Sequence, residues 1–253
     1  MIKELYVDIE HMADMAAHDK DAFTLNRKNG FGASDSSIIL KVNKWSTIDD
    51  LILEKNTPAI TDKEREVGQK PNVRMGADLE PVILDKFTEM TGLECHKPDA
   101  QYRFKDFPWL TVNYDGAIGT DIQVDQHITC PVGVAVEAKC VSQFARKFWG
   151  WDKGLTGDIQ LTDFIKKPYE YEGGSMTDRI STLANMYGIP PYYFTQVQQQ
   201  MIGTAQPYCY LIAMDVKEWT PYVFKIYEDR TVQETLIALS AEYALKCPHM
   251  PQP

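Results

Sequence analysis

Residues 132–140 read VGVAVEAKC, and residues 112–119 read VNYDGAIG. The first stretch is apolar and rich in valine, the composition of a buried strand. Side chains on a strand alternate between its faces, so Glu137 and Lys139 share one face while Ala138 points into the core. A carboxylate and an amine two apart on a buried strand are costly to bury unless they serve a purpose. Asp115, followed by the flexible Gly116 and 22 residues ahead of Glu137, is placed to end a neighbouring strand and supply a second carboxylate. Two carboxylates hold a hard divalent cation such as Mg²⁺, and a nearby lysine orients a water or helps to deprotonate it. Those groups suit cleavage of a phosphodiester. The bland alternatives are a turn aspartate at Asp115 and an exposed cross-strand ion pair at Glu137 and Lys139.

The 253 residues are enough for a full core in one large or two small domains. No apolar run reaches the ~18 residues of a membrane span. The first twenty residues lack the apolar stretch of a signal peptide. Five cysteines, an odd number with no CxxC spacing, read as reduced thiols of a cytosolic protein rather than a zinc or iron–sulfur site. His11, His18, His96, His127 and His249 form no ligand pattern. A net charge of −10 opposes general nucleic-acid coating, so any DNA-facing surface must be a local basic patch. Candidates are Arg27, Lys28, Lys41, Arg146, Lys147, Lys153 and the Lys166-Lys167 pair. The aromatic group Phe144, Phe148, Trp149 and Trp151 reads as core, with a wedge between bases the alternative role for Trp151.

Local signals predict a helical, polar stretch over 1–26 and a short helix over 36–40 capped by Ser34 or Asp35. A capping box at 46–49 opens a second helix through Lys55. A polar loop follows over 56–71. A longer helix runs from about Val73 to Met90, broken or kinked at Pro81 and stopped at Gly92. Strands are expected near 100–104, 110–119 and 132–140, a helix near 142–150, and a long loop over 151–190. A helix over 192–204, strands near 208–216 and 221–228, a helix capped by Thr231, and a frayed tail complete the chain. This order suggests an α/β or α+β fold with a central mixed sheet flanked by helices.

With these residues in place the sequence resembles the YqaJ-like viral recombinase family, which includes the phage lambda exonuclease and belongs to the PD-(D/E)XK nuclease superfamily. Four blocks carry the likeness in order across residues 27–201: GASDSSIIL with Arg27 upstream, MGADLEPVILDKFTEMTG, NYDGAIG followed by VEAKC, and YYFTQVQQQM. The resemblance implies a single nuclease domain over 1–253. Within it, 1–92 is the N-terminal helical part, 93–150 and 190–246 the catalytic core, and 151–189 a loop insertion. It implies a 5′-to-3′ exonuclease acting on linear duplex DNA in recombination, from a phage or prophage, in the cytoplasm of a bacterial host. A nuclease of different polarity, an endonuclease, and an inactive end-binding or partner-binding module stay open beside it. Two departures are visible: Tyr114-Asp115 replaces the family's Pro-Asp, and 151–180 is longer than the usual link.

The resemblance also implies Mg²⁺, with Mn²⁺ as a substitute, bound by Asp115, Glu137 and the Ala138 carbonyl. Two ions ~4 Å apart would serve the attacking and leaving oxygens. Glu80 is either a solvated helix residue or a ligand of the second ion. Gln196 is either helix surface or a catalytic amide that donates to phosphate and accepts from water. It shares a face with Gln200, with Gln199 close by and Tyr193 three residues before, which packs or touches substrate. Lys139 is either the base or a stabiliser of charge. Arg27 and Ser34 match the family positions that hold a 5′-terminal phosphate, which a guanidinium grips with two donors. A single-strand annealing protein and a homo-oligomeric ring around DNA are the partners the family suggests.

Overall fold

The computed structural model describes residues 9–14, 24–98, 100–125, 128–164, 169 and 171–253. Its N-terminal elements are β1 (Ile9–Asp14), α1 (Ser36–Ile39), α2 (Ile48–Asn56), α3 (Asp62–Gln69) and α4 (Pro71–Thr91). Strands β2 (Cys95–His96), β3 (Ala100–Phe104), β4 (Thr111–Val112), β5 (Gly116–Asp125) and β6 (Ile128–Val141) follow. After them come α5 (Met176–Tyr187), α6 (Pro191–Thr204), β7 (Tyr208–Asp215), β8 (Thr220–Tyr227) and α7 (Arg230–Ala244). The main sheet has the order β2-β5-β6-β7-β8, and β1-β3-β4 form a second, smaller sheet. Only the β6–β7 pairing is parallel in the main sheet, which makes it the mixed sheet expected.

The alternation read from VGVAVEAKC is realised on β6 and repeated on β7. Val134, Val136 and Ala138, with Tyr210, Ile212 and Met214, pack under Ile83, Leu84, Phe87 and Met90 of α4. Ala135, with Cys209, Leu211 and Ala213, faces Phe194, Val197 and Met201 of α6. Each fully buried side chain of this size contributes about 1.5–3 kcal/mol, so the two helix–sheet layers outweigh the modest propensities of their strands. Glu137 and Lys139 therefore fall on the α6 face and Ala138 on the α4 face.

Several local expectations are corrected. Within the stretch expected to be helical over 1–26, Ile9–Asp14 is a strand paired with β3. Residues 24–26 are helical, and the rest of that stretch lies outside the described residues. The polar loop expected over 56–71 contains α3. Helix α4 runs unbroken through Pro81, with Pro71 in its first turn and Gly92 as its left-handed cap. The helix expected near 142–150 is a pair of short 3₁₀ turns, Arg146–Phe148 and Trp151–Lys153. The long loop over 151–190 contains α5, opened by a capping box between Ser175 and Asp178 and closed by Gly188. Asp229, not Thr231, caps α7 by accepting the Val232 amide. The tail is pinned rather than frayed: Met250 is buried, and the Gln252 amide donates to the carbonyls of Cys247 and Met250.

Among the described residues no helix is long and apolar enough to cross a membrane.

Candidate active site

Asp115 precedes β5, and its carboxylate accepts the backbone N–H of Ala138 on β6 at 3.0 Å. That bond is made where the β5–β6 ladder, whose last pair is Gly116–Val136, has just opened. Gly116 is required by closeness rather than flexibility. A Cβ there would lie 2.6 Å from the Cys95 sulfur and 2.9 Å from Leu84 Cδ2, so only glycine lets α4 seat against the strand that carries Asp115. Tyr114, where the family has proline, is buried, and its hydroxyl donates to the Gln200 carbonyl at 3.3 Å.

Glu137 is 1% exposed and is held from three sides. Lys139 Nζ and Gln196 Nε2 both donate to its Oε1, and Gln200 Nε2 donates to Oε2. The i, i+4 spacing on α6 puts both amides over one strand position. A buried carboxylate is tolerable only with such partners. Gln199, on the neighbouring face of α6, donates to the carbonyls of Phe31 and Thr111, both at 2.9 Å. One helix thus ties the carboxylate centre to the N-terminal segment. Tyr193 lies with its ring 5.0 Å from Lys139 Nζ, so it packs against the amine.

Burial and the neighbouring charge of Glu137 push the Asp115 carboxyl up to about 7, against the opposing pull of Lys139, the Ala138 amide and Lys97. Burial works against a charged Lys139, but Glu137 and Asp115 outweigh it and raise its pKa. Two carboxylates that resist joint ionisation form an all-oxygen donor set whose repulsion a hard cation relieves, so these residues fit a metal of the Mg²⁺ class. Glu80 is paired with Lys97, whose Nζ donates to its carboxylate at 2.6 Å, and Lys97 in turn acts on Asp115. Among the described residues no three His, Cys, Asp or Glu side chains converge on one point.

A second group lies across the adjoining cleft. This cleft, of about 380 Å³, is lined by Ser34, Asn43, Trp45, Cys140, Tyr192 and Gln196 among others. Arg27 Nη2 donates to the Ser34 hydroxyl at 3.0 Å and stands 3.9 Å from Asp35. Ser34 sits in a 3₁₀ turn ahead of the four-residue α1, and the Asp35 side chain makes no cap bond to α1: it accepts the Gly32 amide at the start of that turn and the ammonium of Lys55 at 2.7 Å. Lys55 is wholly buried and also donates to the Arg27 carbonyl at 2.9 Å. The sequence reading missed Asp35 and Lys55. A lone lysine on α2 looks like a solvated helix residue until α2 is packed.

Residues 22–206 match the YqaJ-like viral recombinase domain, from just upstream of Arg27 to just past α6. The chain belongs to this family. The YqaJ-like assignment agrees with the resemblance read from the four sequence blocks. The uncharacterized protein YqaJ of Bacillus subtilis strain 168 is 28% identical over 109 residues, 43% of this chain and 33% of that protein. The match thus spans about a third of the curated relative's length. The alkaline exonuclease LHK-Exo from Laribacter hongkongensis is similar in fold, with a TM-score of 0.56 and 14% identity over 91% of this chain and 95% of that one. Its complex with dAMP gives a TM-score of 0.54, also at 14% identity and with the same coverage. The YqaJ-like chain therefore has the PD-(D/E)XK architecture expected for it: a mixed sheet flanked by helices.

Several candidate cations have structural duties. Arg146 is bound to the buried Asp215, Lys153 donates to the Asn185 carbonyl, and Lys28 donates to the Ala59 carbonyl. Lys166 and Lys167 lie outside the described residues. The aromatic group divides. Trp149 is buried and Trp151 stacks on it at 5.4 Å, which removes Trp151 as a wedge, whereas Phe144 and Phe148 are exposed instead of core.

Proposed function

We propose that this protein is a Mg²⁺-dependent DNA exonuclease that degrades one strand of linear duplex DNA from its 5′ end, in phage-type recombination. The observation that carries this reading is the Glu137 carboxylate held by Lys139, Gln196 and Gln200 beside Asp115. Asp115, Glu137 and the Ala138 carbonyl would hold Mg²⁺, for which Mn²⁺ can substitute, and Glu80 would join a second ion on release from Lys97. An ion held there would supply Lewis acidity, offsetting phosphate charge and making a water more acidic. The other roles belong to the chain's own side chains. Lys139 is a fixed positive charge beside the scissile phosphate and orients the attacking water. Gln196 and Gln200 keep the Glu137 carboxylate in place. Arg27 and Ser34 grip the terminal 5′-phosphate, whose extra charge separates an end from an internal phosphate. The product, a duplex with a 3′-ended single strand, suits an annealing protein as partner.

The test is digestion of linear duplex with and without 5′-phosphate, against a closed circle, in Mg²⁺ and in EDTA. Release of mononucleotides from phosphorylated 5′ ends, with the circle intact and EDTA blocking the reaction, is the expected result. Cleavage of the circle would make the protein an endonuclease. Binding of ends without cleavage would make it an end-binding module.

A further inference from the structure

We propose that the rim of the Glu137 cleft is a platform for unpaired DNA, on which Trp45, Phe144 and Phe148 stack bases while Lys44 and Lys147 take the intervening phosphates. The identity of the strand rests on the nuclease reading above. Trp45 is 68% exposed, Phe144 77% and Phe148 47%. Single exposed apolar residues are ordinary, but three large exposed rings on the two segments that border one cleft are not. Trp45 lines the cleft, edge-on to Tyr192 at 5.0 Å. Ser142 and Ala145, on either side of Phe144 in the chain, line it as well.

The cations join the two segments. Lys44 Nζ lies 5.3 Å and Lys147 Nζ 5.2 Å from the centre of the Phe148 ring. The segment around Trp45 and the turn after β6 therefore meet over that ring. Neither lysine has a carboxylate partner among the described residues, whereas Lys55, Arg146 and Lys153 are committed to internal partners. Two uncommitted cations on aromatic rings, in a chain of net charge −10, select a polyanion over an apolar protein partner. Stacking faces interleaved with cations suit single strands, because every unpaired base offers a π face. The rim opens beside Gln196, so a strand lying across it leads to Glu137.

The experiment measures anisotropy of a labelled oligo(dT) 15-mer and of a blunt hairpin duplex, in EDTA so that nothing is cut. Wild type is compared with Trp45→Ala, Phe144→Ala and Trp45→Phe, each checked for an unchanged melting temperature. Trp45→Ala and Phe144→Ala should each weaken oligo(dT) binding about tenfold, with Trp45→Phe near wild type and duplex binding changed by less than about twofold. Failure of wild type to bind oligo(dT), or wild-type affinity for oligo(dT) in both alanine variants, overturns the platform. Unchanged DNA affinity with an altered sedimentation coefficient would make this face an interface between copies and also overturn it. If wild type binds oligo(dT) as described yet cuts no DNA in Mg²⁺, the platform stands and the nuclease reading fails.

Discussion

Asp115 and Ala138 are joined by a hydrogen bond of 3.0 Å from the Ala138 amide to the Asp115 carboxylate. This bond locks the residue before β5 to the residue between Glu137 and Lys139 on β6, so backbone fixes the Asp115 carboxylate beside Glu137, whose own carboxylate is held by side chains. Their proximity has a cost without a cation, since burial and Glu137 raise the Asp115 pKa to about 7. In the unfolded chain Asp115 is an ordinary acid, so the folded state binds the proton more tightly. This contribution to stability is full at low pH and is lost as pH rises from the unfolded value through about 7.

Asp115→Asn keeps an acceptor for the Ala138 amide but removes the charge. In EDTA at pH 8 it should be more stable than wild type, on the order of 1–2 kcal/mol after discounting for the partial exposure of the site. The gain should fade as pH falls toward 4. Added Mg²⁺ should raise the melting temperature of wild type but not of the variant. Thermal melts at the two pH values check this, and equal melting temperatures at pH 8 would speak against a strained carboxylate pair.

Gln200 is buried and donates to Glu137 Oε2. Gln200→Ala leaves a buried carboxylate short of one donor, so about 1–3 kcal/mol of stability should be lost. Cleavage should fall at least about tenfold, mainly in kcat, because Glu137 loses its fixed position. Chemical denaturation and steady-state kinetics decide this. A variant with wild-type kcat would show that Gln200 only packs.

Lys55 and Asp35 form a buried pair behind Arg27. Lys55→Met strands the Asp35 carboxylate and should cost about 3–5 kcal/mol, whereas Lys55→Met with Asp35→Asn should cost much less. Burial alone would raise the Asp35 pKa, but Lys55 and Arg27 overcome it and hold the carboxyl below its usual range. Its contribution to stability is therefore present above the ordinary carboxylate range and is lost as pH falls through its depressed value. Acid unfolding of wild type should carry this step, and the double variant should lack it.

Arg27→Ala should slow digestion of 5′-phosphorylated ends strongly and of 5′-hydroxyl ends little, cutting the phosphate preference by about 1.5–3 kcal/mol. Single-turnover rates on the two substrates give the ratio. Equal losses on both would make Arg27 a general contact.

The face assignment of Glu137, Lys139 and Ala138 was legible because a strand has one periodicity, and β6 keeps it. Gln196 was legible for a similar reason, through helical spacing from Gln200. The capping box at Ser175 and Asp178 was also in the sequence, but a stretch rich in Gly, Asp and Thr masked the helix it opens. The roles of Asp35 and Lys55 were not legible. Their pairing spans 20 residues and exists only once α2 packs beside Arg27. The exposure of Phe144 and Phe148 was hidden too, because an aromatic residue beside a buried Trp149 reads as core in any local window.

Everything proposed for this site rests on Asp115 and Glu137 forming a metal-dependent centre that cleaves phosphodiesters. The most direct measurement is the rate at which wild type, Asp115→Asn and Glu137→Gln digest a 5′-phosphorylated linear duplex as Mg²⁺ is titrated, with fold monitored by circular dichroism. Wild type should release mononucleotides in a saturable, Mg²⁺-dependent way, and the variants should be folded with no measurable turnover at any Mg²⁺ concentration. Turnover by wild type in EDTA, or near-normal digestion by either folded variant, would contradict it.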